Sequence, residues 1–300
     1  MNHIESKIFF LAILIMFFVI TFYENFLYSS FLNQIIFFSI PLIWPGLAHG
    51  SLDIDSAKKK KLIKNKNELF IFLLIYILIP IFFFILWLEF SNLFFLIFLF
   101  LSAMHFGISD QAGNKDKKIF KFLEIFVRGF LVISVPLEFH FYETNLIFNF
   151  LLAEENFILA LKQYNLIILL LIGLFSIILL ANCTLRKKNT IIILEILLIF
   201  LCFFYFKPLV SFFIYFCFLH SVRHLKNEKI QLDIDMKTLI KKTMPMTLLC
   251  LITLSIAIFF PNFFVKTLNY NYLNYIFIAL ASLTISHILL INFLKDIQSS

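Results

Sequence analysis

The sequence predicts an all-α, polytopic integral membrane helix bundle with about ten transmembrane helices. Of its 300 residues, 62% are hydrophobic and only 14% are charged, whereas soluble globular domains contain about 25% charged residues. The apolar runs continue along the whole chain, at lengths close to the roughly 20 residues that span a bilayer. No polar interval is long enough for a soluble domain, so we predict that residues 1–300 form a single transmembrane domain.

Breaking the chain at charge clusters and turn residues gives ten candidate spans. The separators are weakest at residues 24–30 and at Lys207-Pro208. The first apolar run has no small-residue cleavage site after it, so we interpret it as a span and not as a removed signal peptide. The amphipathic segment 145–163 is predicted to lie at the membrane interface. The ten spans are residues 8–22, 31–49, 69–88, 93–110, 119–141, 164–182, 190–206, 208–225, 243–265 and 272–294.

The distribution of lysine and arginine predicts the orientation of these spans, because cytoplasmic loops of membrane proteins are enriched in both. With the N-terminus in the cytoplasm, the cytoplasmic segments hold 21 basic residues and the outer segments hold three, and Arg128 lies within a span. We therefore predict a multi-pass protein of the cell (inner or plasma) membrane, with its N-terminus in the cytoplasm. The net charge of +7 is explained by topology, so no nucleic acid partner is expected.

The cysteines do not indicate a metal or disulfide site. There are four in the chain, with no C-x-x-C pair, and three lie inside apolar runs. Such residues are typical of small core hydrophobes. Histidine is therefore the better candidate for a metal-ligating side chain. The cysteines are Cys183, Cys202, Cys217 and Cys250.

Five of the seven histidines fall in even-numbered spans, each of which runs from the outside to the cytoplasm. In each of these spans a cytoplasmic lysine follows the first histidine by six to ten residues. At 1.5 Å per helical residue, the imidazoles are predicted to share a layer within about 10 Å in depth. The sequence thus predicts nitrogen ligands from four helices near the cytoplasmic face. These histidines are His49, His105, His220, His224 and His287.

The motif HSVRH places His220 and His224 at positions i and i+4 of one helix face. This spacing lets a helix offer two nitrogens to one metal ion, as in H-E-x-x-H sites. Together with His49 and His105 it predicts a site of four nitrogens, and an imidazole set without thiolates suits iron, zinc, copper or nickel. The alternative for each single histidine is a hydrogen-bonded packing role within its span.

Two aspartates follow the first two histidine motifs, with Asp53 four residues after His49 and Asp110 five residues after His105. A ligating histidine usually donates its second ring N–H to a carboxylate or carbonyl. Both carboxylates are therefore candidates to orient ligands without binding the metal. The alternative is that each marks the cytoplasmic end of a span.

Other charged residues lie within the predicted spans. We expect Arg223, between the two histidines of HSVRH, to face the interface or a phosphate group. Glu124 and Arg128 stand at i and i+4 and are predicted to pair. Glu195 is an intramembrane charge for which the sequence indicates no partner.

Four segments in this order resemble the histidine-bearing segments of the Brp/Blh family of bacterial and archaeal membrane proteins, the β-carotene 15,15′-dioxygenases. The resemblance extends from about Pro41 to Asn292, and the first span lies outside it. One difference is Ile54, which stands where the family often has a second histidine after the aspartate. The segments are GLAHGSLD, SAMHFGISD, FLHSVRH and TISHILL.

This resemblance implies that the single domain of residues 1–300 is catalytic and cleaves the central double bond of β-carotene with O2 to give two retinal molecules. It also implies Fe2+ as the cofactor, a substrate taken from the lipid bilayer, and a functional link to a microbial rhodopsin that uses the product. The histidines that match the proposed iron ligands are His49, His105, His220 and His224. A further family histidine is matched by His287, which we group with Asp53 and Asp110 as a residue that supports the ligands.

The residues alone leave three other functions open. A histidine-cluster oxidase or desaturase acting on another lipid also collects histidines at the cytoplasmic face, although its H-x-x-H-H pattern is absent. A haem-binding redox protein would use histidines on facing helices. A membrane transporter would use Arg128 and Glu195 as coupling charges, although the sequence shows no broken helices in matching halves.

Overall fold

The structure is a computed structural model that describes residues 4–111, 118–185, 190–259 and 272–292. Every regular element in these ranges is helical, which confirms the predicted all-α class. The α-helices are Ile4–Tyr28, Phe31–Phe37, Ser39–Pro41, Asp53–Lys59, Lys66–Glu89, Ser91–Ser109, Lys118–Phe139, Phe141–Asn149, Glu155–Leu185, Thr190–Tyr205, Pro208–Tyr215, Ser221–Leu232, Met236–Phe259 and Tyr272–Asn292. Leu42–Gly46 and Phe216–His220 are π-helical, and Leu47–Gly50 is a 3₁₀-helix.

Six helices in the described residues are long and apolar enough to cross a membrane, or seven spans if the broken pair Phe31–Phe37 and Ser39–Lys59 counts as one. The chain is therefore a polytopic helical membrane protein. Each of the ten predicted spans overlaps a helix, but the count of ten stays a prediction. The helix Thr190–Tyr205 is too short to be counted among the six. The helix Lys118–Phe139 is not counted because it contains several charges.

The outer faces of these helices suit a lipid environment. In Lys66–Glu89 only 6% of the most apolar stretch is buried by the rest of the protein. Its exposed side chains include Phe70, Leu74 and Phe82. An apolar surface of this extent would be unfavourable in water, so we interpret it as a lipid-facing surface.

The two weakest predicted boundaries are real helix breaks. The first helix continues to Tyr28, six residues beyond the predicted end, and the Ser30 hydroxyl then caps the next helix by accepting from the backbone N–H of Asn33 at 3.1 Å. Thr190–Tyr205 ends before Pro208, which begins the following helix. Proline suits that position because the first helical residues have no intrahelical N–H bond to lose.

The segment 145–163 comprises the end of Phe141–Asn149 and the beginning of Glu155–Leu185. Its position at the membrane interface stays a prediction. Several of the basic residues counted for the orientation lie outside the described residues. These are Lys115, Lys117, Arg186, Lys187, Lys188, Lys266 and Lys295.

The contacts divide the chain into two units, each assembled from separate stretches of sequence. The first unit comprises Met1–Gly46, Ala103–Thr144 and Ala160–Lys226. The second comprises Leu47–Ser102, Asn145–Leu159 and Asn227–Ser300. The single domain expected from the sequence stays a prediction. The first unit has a large aromatic and aliphatic core, whose fully buried side chains include Phe9, Phe203, Phe206 and Tyr215.

Glycines set the distance between two helices of the first unit. A Cβ atom at Gly129 would lie 1.9 Å from the backbone carbonyl oxygen of Ala103, and one at Gly107 would lie 2.1 Å from that of Ile125. Only hydrogen fits at these points, so the two backbones pack directly on each other. Close approach at small residues is a common way of packing helices in membranes. It also fixes the helix turn that carries His105.

We expect Gly129→Ala to lower the free energy of unfolding in detergent by about 1–3 kcal/mol or more, because the methyl group must push the two backbones apart. Thermal denaturation of the purified protein measures this effect. The matched control is Gly173→Ala, since a Cβ atom there meets nothing within 4 Å. Equal melting temperatures for the two variants would contradict the close packing.

Candidate metal centre

The motif HSVRH spans a change in helix geometry in the first unit. Phe216–His220 is π-helical, and an α-helix continues from Ser221 to Leu232. Single π-helical turns frequently occur at functional sites, because they shift the side chains that follow by part of a turn. Both His220 and His224 are buried, with 0% and 5% of their surfaces exposed.

Asp110 is the residue that orients His220. It directly follows the helix Ser91–Ser109, is fully buried, and its Oδ1 lies 3.2 Å from Nδ1 of His220. The hydroxyl of Tyr215 donates to Oδ2 of Asp110 at 2.5 Å. A carboxylate at Nδ1 favours the tautomer with the proton on Nδ1, which leaves the lone pair of Nε2 suited to binding a metal ion.

The ring of His105 lies beside that of His220. Their centroids are 5.1 Å apart, with an edge-on arrangement. Phe106 contacts His220 on another side, at 4.8 Å between centroids. Because His105 is only 4% exposed, the first unit holds two adjacent imidazoles in an environment shielded from water.

In the second unit, His49 lies in the 3₁₀-helix Leu47–Gly50 and not in a continuous α-helical span. The span predicted over 31–49 stays a prediction, but its end is not the continuous α-helix that the depth of His49 assumed. The cause is local, since Pro45 and Gly46 both disfavour an α-helix interior and Trp44 has non-helical backbone angles. The predicted depth of His49, which assumed 1.5 Å per residue, does not apply to this segment.

His287 is held by Asp53 in the second unit. Nδ1 of His287 lies 2.9 Å from both carboxylate oxygens of Asp53. The hydroxyl of Tyr76 donates to Oδ2 of the same carboxylate at 2.5 Å. The ring of His49 lies beside His287, with 4.6 Å between centroids. All of these histidines and Asp53 are buried.

Sequence proximity did not identify which histidine each aspartate serves. Asp53 follows His49, but its carboxylate contacts His287; Asp110 follows His105, but its carboxylate contacts His220. The predicted type of role, a carboxylate at the second ring nitrogen, agrees with this geometry. The partners come from distant parts of the sequence because they are set by helix packing.

Arg223 does not face the membrane interface, which corrects the expectation from the sequence. Its side chain is 4% exposed and donates from Nη1 to the backbone carbonyl of Asp110 and from Nη2 to Oε1 of Glu195, both at 2.6 Å. A guanidinium with five fixed donors is suited to joining such acceptors. Arg223 therefore holds the backbone of Asp110, the residue that orients His220.

Glu195 has the partners that the sequence did not reveal. Arg128 donates to its Oε2 at 2.7 Å and to Oε1 of Glu124 at 2.8 Å, which confirms the predicted pairing of Glu124 with Arg128. The hydroxyl of Ser6, in the first helix, also donates to Glu195. The charges compensate one another within a fully buried network, as burial of ions requires.

The first helix contributes a second ion pair to this network. Lys226 donates from Nζ to Oε2 of Glu5 at 2.6 Å, and Nε of Arg223 lies 3.7 Å from Oε1 of Glu5. This helix lies outside the sequence resemblance, yet its polar end contacts residues directly beside HSVRH. The sequence signal for this contact was the pair Glu5 and Ser6, two polar side chains near the start of an apolar run.

Sequence reasoning missed several polar residues that contact the histidine sites. Tyr76 is the one hydroxyl-bearing side chain in the apolar helix Lys66–Glu89, and its position there was an available signal. Tyr215 is fully buried and donates its hydroxyl to Asp110. Glu228, also buried, accepts from the hydroxyl of Ser56 one turn beyond Asp53.

The donor set in both units fits a divalent transition metal. Imidazole nitrogens are buried, and carboxylates contact Nδ1 of two of the rings, which leaves Nε2 directed away from the carboxylate. A set of imidazoles with no soft thiolate suits iron, zinc, copper or nickel. Nearby aspartates also offset the charge of a dication.

Comparisons with known proteins agree with the histidine motifs. The family model described as "Beta-carotene 15,15'-dioxygenase" matches residues 40–295. The chain is 32% identical over 270 residues to a "Beta-carotene 15,15'-dioxygenase" from Uncultured marine bacterium 66A03, in an alignment that covers 86% of this chain and 93% of the relative. Among solved structures there is no significant match. The chain therefore belongs to the beta-carotene 15,15'-dioxygenase family of enzymes.

Proposed function

We propose that the chain cleaves the central 15,15′ double bond of β-carotene with O2 to give two molecules of all-trans-retinal, at a ferrous ion bound by His49, His105, His220 and His224. Family membership supports the reaction class. The observation that carries the metal assignment is the buried arrangement of Tyr215, Asp110 and His220. Such a carboxylate contact is typical of histidines that bind metals.

The reaction balances without a further reductant. One carbon–carbon double bond breaks, and each of its two carbons becomes the carbonyl carbon of one retinal. Both oxygen atoms come from one O2 molecule, which is fully reduced to the two carbonyl oxygens as the alkene is oxidised. When bound, ferrous iron supplies the one-electron chemistry that O2 needs to react with an alkene.

The protein residues have three tasks in this proposal. Asp110 holds the proton of His220 on Nδ1, so that Nε2 keeps its lone pair for the metal. Arg223 holds the backbone of Asp110 in place. Burial of the histidines excludes water, which protects a reactive site from side reactions.

The membrane location suits this substrate. β-Carotene is an apolar rod comparable in length to the roughly 30 Å hydrocarbon core of a bilayer, and the helices present apolar outer faces. We propose that the enzyme takes the carotenoid from the inner membrane. The N-terminus and the metal site lie toward the cytoplasm in this proposal, as the basic residues predict. The retinal produced would supply a microbial rhodopsin.

Expression of the chain in a β-carotene-producing bacterium tests the function. We expect the cells to lose their orange colour and accumulate all-trans-retinal, which chromatography of the extracted pigments identifies. Cells expressing His220→Ala to the same membrane level provide the control and should stay orange. Unchanged β-carotene in cells with verified expression and ample iron would overturn the proposal, and longer apocarotenals in place of retinal would overturn central cleavage.

A further inference from the structure

We propose that His287 is itself a metal ligand, bound through Nε2 and oriented by Asp53 and Tyr76. This inference rests on the proposed metal-dependent function and extends its ligand set. It differs from the role that the sequence indicated, in which His287 only supports other ligands. Three observations carry it.

The first observation is the contact between Asp53 and Nδ1 of His287, from which the tautomer follows. Nδ1 of His287 is 2.9 Å from both oxygens of the carboxylate, so Nδ1 carries the proton that is shared with Asp53. Tyr76 donates to the same carboxylate, which keeps Asp53 an acceptor toward the ring. Nε2 of His287 consequently has the lone pair, as metal ligation requires.

The second observation is that the same three side chains recur in the first unit. There a tyrosine hydroxyl donates at 2.5 Å to one oxygen of an aspartate whose other oxygen contacts Nδ1 of His220. In the second unit the tyrosine hydroxyl again donates at 2.5 Å. His220 is one of the proposed iron ligands. The second unit thus repeats the set of tyrosine, aspartate and histidine, with both oxygens of Asp53 in contact with Nδ1, and we assign the same task to His287.

The third observation is the neighbour of His287. One ligand nitrogen of His49 and one of His287 lie within 4.8 Å of each other, and both residues are buried. Two nitrogens bound at about 2.1 Å to one metal ion stand no more than about 4.2 Å apart. The observed limit is close to this value, so a small side-chain movement lets both rings bind one ion.

The test uses substitutions that separate the two nitrogens of His287. In His287→Asn the side-chain amide occupies the place of Nδ1 and keeps a hydrogen bond to Asp53, but no atom replaces Nε2. We expect the purified full-length protein, stripped of metal and titrated with Co2+, to bind at least tenfold more weakly in this variant. The visible Co2+ spectrum should also change, because one nitrogen ligand is lost.

Two further variants complete the test. Asp53→Asn should weaken Co2+ binding about 10–100-fold, as loss of a supporting carboxylate typically does, without changing the number of ligands. His287→Ala should regain Co2+ affinity when free imidazole is added, since imidazole supplies the missing nitrogen. His140→Asn is the matched control, because His140 contacts the backbone carbonyl of Phe204 and is not a proposed ligand.

The outcomes distinguish the two proposals. Wild-type affinity and an unchanged spectrum in His287→Asn would overturn the role of His287 and leave the proposed function intact. Failure of imidazole to restore Co2+ binding in a folded His287→Ala protein would also count against it. If the wild-type protein binds no Co2+, the metal site itself is wrong and both proposals fall.

Discussion

Replacing His105 or His224 by alanine is expected to abolish retinal formation while the protein still inserts into the membrane. Each substitution removes one nitrogen from the proposed iron site. Both side chains are buried, with 4% and 5% exposed, so solvent water does not readily replace the lost ligand. Chromatography of pigments from β-carotene-producing cells measures the product, and we expect it to fall to the background of cells without the enzyme.

A matched control distinguishes the loss of a metal ligand from a folding defect. His140→Ala removes an imidazole from the same unit, at a position that contacts the backbone of Phe204, and should keep near wild-type activity. Membrane fractionation and circular dichroism check insertion and helix content. Full activity in either His105→Ala or His224→Ala would refute the assignment of that residue.

The second large effect is expected from Glu195→Gln. Glu195 is fully buried between Arg128 and Arg223. Its neutralisation removes the carboxylate charge that both guanidinium groups contact. Breaking a buried ion pair typically costs about 3–5 kcal/mol. We expect a large fall in the melting temperature in detergent. Activity should fall with it, because Arg223 also holds the backbone of Asp110.

Glu143→Gln is the control for Glu195→Gln. Glu143 pairs with Lys207 at 3.2 Å, but both side chains are partly exposed, at 27% and 39%. Exposed pairs contribute only about 0–1 kcal/mol. The two variants remove the same charge, so any difference in melting temperature reflects burial. Similar small shifts in both would show that the network around Glu195 does not stabilise the protein.

The fold class was predictable because the signals that determine it are local. Apolar runs and basic loops are properties of short windows, and each predicted span overlaps a helix. The irregular backbone around His49 was harder to anticipate. Pro45 and Gly46 indicated a disturbance, but the sequence alone does not distinguish a kink from a change to π- and 3₁₀-helical turns.

The candidate site was predictable in composition but not in pairing. Histidine and aspartate motifs were visible in the sequence, as was the short-range pair of Glu124 and Arg128. The contact between Asp53 and His287 joins residues 234 positions apart. No local pattern encodes such a distance, because the relative placement of two helices depends on the packing of all their side chains. For the same reason Arg223 was wrongly expected at the interface.

The separation of Asp53 and His287 also concerns how the protein is made. At about 5–20 residues per second, the ribosome needs roughly 10–50 s to extend the chain from the aspartate to its histidine. During that interval Asp53 has been synthesised but His287, its partner, has not. The helix Tyr272–Asn292 therefore joins the second unit long after Asp53 has been synthesised. A premature stop before residue 287 would remove the imidazole that contacts Asp53, and with it the metal ligand proposed above.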